Sequence, residues 1–256
     1  MINLEKTETY GWEAAIRGMR NPMNSWDKSD TFRCWEKEYC AGCVFATGEG
    51  HCDNVQGDIP IIGPNDLDLM KRLAKGGPVH AKYRRQIFVS VDITAPLYWW
   101  KEFDTYKVGT TANSCSTMHK IHAKEFTRED FSCEHLTNDE GADTTFVAAD
   151  DGHIHTANFS SLDILDITIV ALNFNRKMFL ETGDKLYWEQ MIQLLPSSYN
   201  QKRTVTMTYE NLHNMYQSRK GHKLDEWRVG FCEWAKRLPY SELFTLEWEE
   251  KSDAEG

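Results

Sequence analysis

The sequence predicts an α+β fold in which helices dominate, and three observations carry that expectation. Ile87 to Ala95 is rich in β-branched residues and is halted by Pro96, as a buried strand would be. Lys202 to Thr208 (KRTVTMT) alternates polar and apolar side chains, the period of a half-buried strand. From Phe159 to Leu195 apolar residues recur with helical spacing, with Leu162, Leu165, Ile169, Leu172 and Phe179 on one side.

The remaining elements follow in chain order. Residues 10 to 20 (YGWEAAIRGMR) read as a short helix that Asn21-Pro22 brings to an end. Residues 23 to 63 are polar, with glycines and cysteines and little periodicity, and read as an elaborated loop. Pro64-Asn65-Asp66 is the expected cap of a helix from Leu67 to Lys75, which Gly76-Gly77-Pro78 ends. After the strand and Pro96, an aromatic and charged helix runs from Leu97 to about Tyr106. Gly109, Thr110, Thr111, Asn113, Ser114, Cys115, Ser116 and Thr117 then form a run of small polar residues. Such a run suits a polar ligand better than a core. Residues 121 to 156 are hydrophilic, and Gly183-Asp184 breaks the long helical pattern into two. Tyr209 to Ser218 and Asp225 to Lys236 are two further helices, and the tail after Glu247 is acidic.

Composition narrows the function. The chain has 256 residues, enough for a substantial core, and 41% hydrophobic content is ordinary for a folded protein. A net charge of −10 argues against sequence-independent binding to a nucleic acid polymer. No run approaches the roughly 20 apolar residues that span a membrane. The amino terminus, MINLEKTETYGWEAA, has no basic region followed by an apolar one. A soluble, cytoplasmic protein is therefore expected. The seven cysteines, an odd number, fit reduced thiols better than a disulfide framework.

Candidate chemistry is sparse. Cys34, Cys40, Cys43 and Cys52 lie within 19 residues and could supply the four soft ligands of a structural zinc. Only Cys40 and Cys43 are spaced as a knuckle, so free thiols in a loop are the preferred reading. His153-x-His155 and the i, i+3 pair His119 and His122 could ligate a metal, but no third ligand is evident, and solvated histidines are preferred. The chain has no G-x-G-x-x-G, no P-loop, no G-x-S-x-G and no H-E-x-x-H. Ser114-Cys115-Ser116 offers nucleophilic atoms without an assignable base. Arg219, Lys220, His222 and Lys223 cluster at or just past a helix carboxyl end. There they either complement the helix dipole or form an anion site, and residue types alone do not separate the two.

Taken together, these blocks resemble the flavin-dependent thymidylate synthase family over most of residues 10 to 245. AAIRGMR is similar to the family's early A-R-x-S segment, and KGGPVHAKYRRQIFVSVDITAP to its H-G-H-x-(S/T)-P-F-E-H-x-x-F-x-F-x-V-x-A-P segment. WWKEFDTYKVGTTANSCS falls where the family carries R-H-R-x-x-S-x-N-E-x-S-x-R-Y. LLPSSY followed by NLHNMYQSRKGHKLDEW resembles the closing L-P…Y…N-x-R-x-L-x-x-F-x-x-L-R…A-Q-W-E. Thr105-Tyr106-Lys107 replaces the R-H-R triplet, keeping only its last charge, and the signature's glutamate has no counterpart.

The resemblance implies a central sheet flanked by long helices, a single domain over 1–248 with the cysteine insert at about 30–60, an acidic tail at 249–256, and a homotetramer. It implies FAD as cofactor, with NADPH and methylenetetrahydrofolate as co-substrates in the reductive methylation of dUMP, a pyrimidine deoxynucleotide. His80, Lys107, Thr110 and Asn113 would lie on the flavin, and Ser116, Arg219 and Lys101 on the nucleotide. Arg219 and His80 would be the catalytic pair. Hydroxymethylation of a pyrimidine nucleotide and nucleotide binding without catalysis are the rival readings.

Overall fold

A computed structural model describes residues 1–33, 46–47, 51–52, 59–138, 144–150 and 153–246; within 46–52 and 144–156 only the backbone is described. Cys34, Cys40 and Cys43 of the insert, and the acidic tail, lie outside these residues. The chain forms two compact units. The first comprises 1–3, 94–105 and 113–203, and the second comprises 4–93, 106–112 and 204–256.

A four-stranded sheet runs in the order β1 (Asn3–Tyr10), β4 (Phe88–Pro96), β8 (Asn200–Thr208), β5 (Thr111–Ser114). The Ser90 hydroxyl meets that of Thr206 at 2.7 Å, and Thr204 donates to Asp92 at 2.6 Å. One number rises as the other falls, so β4 and β8 are antiparallel. Along β4 the odd-numbered residues Val89, Val91, Ile93 and Ala95 are buried, one face of the strand turned to the core. Two two-stranded pairs complete the strands: β2 (Ala46–Thr47) with β3 (His51–Cys52), and β6 (Thr144–Asp150) with β7 (His153–Phe159).

In the second unit, α1 (Trp12–Arg20), α2 (Pro64–Lys75) and α7 (Tyr209–Arg219) surround a core of large rings. Trp12 meets Tyr209 edge-on at 5.2 Å, and Tyr209 meets Phe244 at 5.0 Å, favoured geometries for aromatic pairs. Helix α2 starts at Pro64 rather than at the expected Leu67, because the Asp30 carboxylate accepts from the N–H groups of Asn65 and Asp66 and caps the first turn from outside. Asp66, expected as part of the cap, is fully buried instead. Its carboxylate accepts from Arg20 Nε at 2.6 Å, Ser29 Oγ at 2.7 Å and Thr31 Oγ1 at 2.6 Å. Burial pushes this carboxyl up, but the bonds from Thr31, Ser29 and Arg20 outweigh it and hold the group below its ordinary value.

Four successive carbonyls near the end of the described chain are gripped by side chains. Arg84 donates to Leu243 O at 2.6 Å, His213 Nδ1 lies 2.7 Å from Phe244 O, and Gln217 Nε2 reaches Thr245 O and Leu246 O at 3.2 and 3.3 Å. These close the carboxyl end of the short helix α9 (Glu242–Thr245), whose last carbonyls have no helical partner.

In the first unit, α3 (Leu97–Phe103) buries Trp99, Trp100 and Phe103. It ends before the expected Tyr106 because Glu102 O accepts both the N–H and the hydroxyl of Thr105, which closes the turn. A four-residue helix, α4 (Thr117–Lys120), follows β5. The long helical pattern is two helices, α5 (Ser161–Thr182) and α6 (Lys185–Leu194). Ser160 and Asp163 form a reciprocal cap at the start of α5, and Gly183, at φ +68°, ends it in the left-handed region. Leu165 and Leu172 of α5 join Ile121, Phe126, Phe131 and Met191 in one apolar cluster, with Leu162, Ile169 and Phe179 packed against it. Residues 121–156, read from sequence as merely hydrophilic, contain β6 and the start of β7. The remaining short helix, α8 (Cys232–Lys236), belongs to the second unit.

His213 carries a consequence for stability. Burial depresses its pKa from 6.5 to about 4, the bond to Phe244 O opposing that shift and Arg84 and Lys220 adding to it. The unfolded chain therefore binds a proton at higher pH than the folded one. Stability contributed by neutral His213 is complete above 6.5 and is lost as pH falls towards 4. Between about pH 7 and pH 4.5, denaturant unfolding should show the wild type losing about 2–3 kcal/mol more than His213→Gln, which keeps a donor for Phe244 O. Equal losses in the two proteins would contradict this.

Candidate functional site

In the second unit, the turn that follows Tyr106 is held by both ends of α7. At the amino end, Thr208 caps the helix, and Asn211 Oδ1 accepts from Thr208 N and Oγ1 at 3.0 and 2.7 Å. This fixes the Asn211 amide so that its Nδ2 donates to Val108 O at 2.6 Å. Gly109 adopts φ +82°, and a Cβ there would stand 2.9 Å from Asn211 Oδ1, so the turn requires glycine twice over. Thr110 closes the turn by donating to Tyr106 O at 2.6 Å.

At the carboxyl end of α7, Arg219 Nε donates to the Tyr106 hydroxyl at 3.0 Å. The guanidinium lies 4.9 Å from the Trp227 ring centroid and 5.6 Å from that of Tyr106. Trp227 is fully buried and sits in a π-helical turn, Glu226–Phe231, where the sequence predicts ordinary helix. His222 lies at 6.4 Å from the Trp227 ring, and its Nδ1 accepts from Leu224 N at 3.1 Å. The arginine is thus one rigid, half-buried donor group framed by aromatics, at the negative end of a helix dipole.

Two other expected residues of this unit, Lys107 and His80, are exposed. Lys107 stands on the turn. His80 is exposed beyond the end of α2, its ring against Gly76, and no hydrogen bond among the described residues joins it to Arg219, Lys107 or Thr110. His213 occupies the place two residues after Asn211 where the family's closing motif has an arginine, and it is buried and committed to Phe244 O. Arg219 is therefore the basic group of α7 that the fold leaves beside the turn.

In the first unit, Lys101 is exposed on α3, and Asn113 is exposed on β5. Ser116 caps α4 by accepting from His119 N at 2.9 Å. Ser116 also lines a cleft of about 320 Å³ with Thr94, Cys115, Thr117, Lys124, Glu129, Asp130, Tyr199, Asn200, Gln201 and Lys202. The backbone at Cys115 is pinned on both sides: its N–H donates to Lys202 O at 2.9 Å and its carbonyl accepts from Gln201 Nε2 at 2.8 Å. Lys124 is paired with Asp130. Arg203, which the sequence reading did not single out, lies 4.1 Å over the Trp100 ring and bonds Asp104 at 2.7 Å and Gln201 Oε1 at 3.0 Å.

No group of three or more metal-binding side chains occurs among the described residues. His119 is exposed, and His122 packs against Phe179 at 5.0 Å. Of His153 and His155 the structure gives the backbone, which pairs with Asp150 and Ala148.

No family model matches the sequence, and no curated protein matches it by sequence. Solved structures match it by fold. The thymidylate synthase ThyX of Helicobacter pylori, solved with FAD and dUMP, superposes with a TM-score of 0.59 at 13% identity, covering 96% of this chain and 98% of that one. The UMP/dUMP methylase PolB of Streptomyces cacaoi, solved with 5-Br dUMP, gives 0.52 at 14% identity, covering 96% and 94%. The chain is a divergent bearer of the ThyX fold over nearly its whole length, as the four sequence segments led us to expect.

The Asn211 arrangement is testable by substitution. Asn211→Ala removes the cap acceptor and the bond to Val108 O, and should cost about 1–3 kcal/mol in denaturant unfolding. Asn211→Asp keeps the acceptor but not the donor, and should cost clearly less. Equal costs would show that the acceptor at the cap contributes nothing and that the bond to Val108 O carries the whole effect.

Proposed function

We propose that the protein is a flavin-dependent enzyme that modifies the base of a pyrimidine nucleotide, with reductive methylation of dUMP as the specific reaction. The observation that carries this reading is Arg219, held between Tyr106 and Trp227 beside the turn where the resemblance puts the flavin signature. The shared fold with proteins solved with FAD and dUMP, and with a UMP/dUMP methylase, supports it.

The residues present fit an anionic dinucleotide by the chemistry of their donors. Lys107 is an exposed cation, and every residue of β5 is exposed, Thr111 and Asn113 included. In this reading Lys107, Thr110, Asn113 and His80 hold FAD. FAD supplies the redox chemistry when bound, with NADPH as reductant and methylenetetrahydrofolate as carbon donor. The chain binds and orients. Arg219 offers a fixed guanidinium to the phosphate or base of the nucleotide. Ser116 keeps its hydroxyl proton for donation, since its oxygen accepts from His119. Lys101 adds an exposed positive charge for the nucleotide, and His80 an exposed imidazole for proton transfer.

A homotetramer fits the surface of α5. Ile164, Ile167, Val170 and Phe174 are exposed at helical spacing, an apolar stripe that a further copy would cover. No helix among the described residues is long and apolar enough to cross a membrane, in keeping with action in the cytoplasm. One observation favours nucleotide binding without catalysis. Thr105 and Tyr106, at the places of an arginine and a histidine in the family signature, are both engaged within the chain, with Glu102 O and Arg219.

Purified protein should show flavin absorbance, or bind FAD at micromolar concentration, and release tritium from position 5 of labelled dUMP when the co-substrates are supplied. FAD binding without tritium release would point to the non-catalytic or a different flavin-dependent reading, and no FAD binding would sink both enzymatic ones. Arg219→Ala should weaken nucleotide binding by about 2–4 kcal/mol. Unchanged affinity would reduce Arg219 to a helix-end cation.

A further inference from the structure

Residues 244–246 climb the side of α7 in step with it. Phe244 O lies on His213, and Thr245 O and Leu246 O lie on Gln217, four residues further along the helix. Positions 213, 217 and 220 share one face of an α-helix, so Lys220 is the next side chain on that track. Leu246 leaves α9 at φ −58° and ψ 137°, an extended conformation that advances about 3.3 Å per residue. From Gln217 to Lys220 the helix rises about 4.5 Å, a distance that two extended residues cover.

The charges on the two sides are complementary. Arg219, Lys220, His222 and Lys223 stand at or past the carboxyl end of α7, and Lys220 and Lys223 are exposed. Gly221 among them leaves room for an approach, since a Cβ there would meet no atom within 4 Å. The sequence continues from Leu246 as Glu247-Trp248-Glu249-Glu250, three carboxylates in four residues. The negative end of the helix dipole repels a carboxylate, so the basic side chains supply the attraction.

We propose that residues 247–250 dock on this basic end of α7 and act as a tethered anion that competes with the nucleotide phosphate. The competition rests on the reading of Arg219 as the nucleotide's anchor, whereas the docking does not. Tethering gives the carboxylates an effective concentration on the order of millimolar. Each exposed carboxylate–ammonium pair is weak, so the contact is displaceable. A phosphate held bidentately by a guanidinium is the stronger ligand and displaces it. The segment thus raises the nucleotide concentration at which the site fills.

The test uses the full chain and its Glu247→Gln/Glu249→Gln/Glu250→Gln variant. Limiting acetic anhydride, read by peptide mass, reports each lysine separately. An ammonium held by carboxylates gives up its proton less readily and acetylates more slowly. Lys220 and Lys223 should therefore acetylate severalfold faster in the variant. Lys177 and Lys185, paired with Glu181 and Glu189, should not change. The variant should also bind dUMP severalfold more tightly at low salt, a gain that shrinks as salt screens the wild-type contact. Unchanged acetylation of Lys220 and Lys223 would overturn the docking and the proposal with it. Faster acetylation with unchanged dUMP affinity would overturn the competition and leave the nucleotide reading standing. Failure of both proteins to bind dUMP would remove that reading and the competition together, while acetylation still decides the docking.

Discussion

Helix α7 holds the 106–110 turn from both of its ends, and the candidate chemistry of the second unit depends on that double hold. Asn211, oriented by Thr208 at the amino end, grips Val108 O, and Arg219 at the carboxyl end grips the Tyr106 hydroxyl. Two anchors one helix length apart leave the turn little freedom to tilt. The same bond fixes Arg219, whose long side chain would otherwise forfeit rotamer freedom each time it met a ligand. The hydroxyl of Tyr106 thus orders a guanidinium in a place where the family signature uses charged residues.

Aromatic framing reinforces that order. Trp227 is carried inward by a π-helical turn, a distortion that is rare and tends to accompany functional sites. Its face lies under Arg219, whose weakly hydrated, planar cation tolerates such contact better than an ammonium would. Elsewhere in the second unit three side chains are tied to backbone carbonyls, in the grip of Arg84, His213 and Gln217 on residues 243–246. Buried polar atoms arranged in this way specify one arrangement of residues 243–246, because each loses a partner if the segment shifts.

Much of the scaffold was legible because its signals are local. The strand at β4 alternates strictly, α5 carries its cap at Ser160-x-x-Asp163, and Gly183 marks its stop. Strand β1 was missed because Leu4-Glu5-Lys6-Thr7-Glu8 is polar and mostly exposed, with little to alternate against. Asp66 was misjudged because a cap and a buried acceptor look alike in sequence, and only the long-range partner Arg20 separates them. The site was less legible than the fold. Thr208-x-x-Asn211 announces a cap, but nothing local says that Asn211 reaches across to Val108 or that Tyr106 meets Arg219.

The central claim is that Tyr106 serves the ligand through Arg219. It is tested most directly by a double-mutant cycle on dUMP affinity with Tyr106→Phe and Arg219→Ala, singly and together. The account predicts that Tyr106→Phe weakens binding in the wild-type background and changes little once Arg219 is gone. Two effects that simply add would contradict it, and Tyr106 would then be a neighbour of Arg219 and not its anchor.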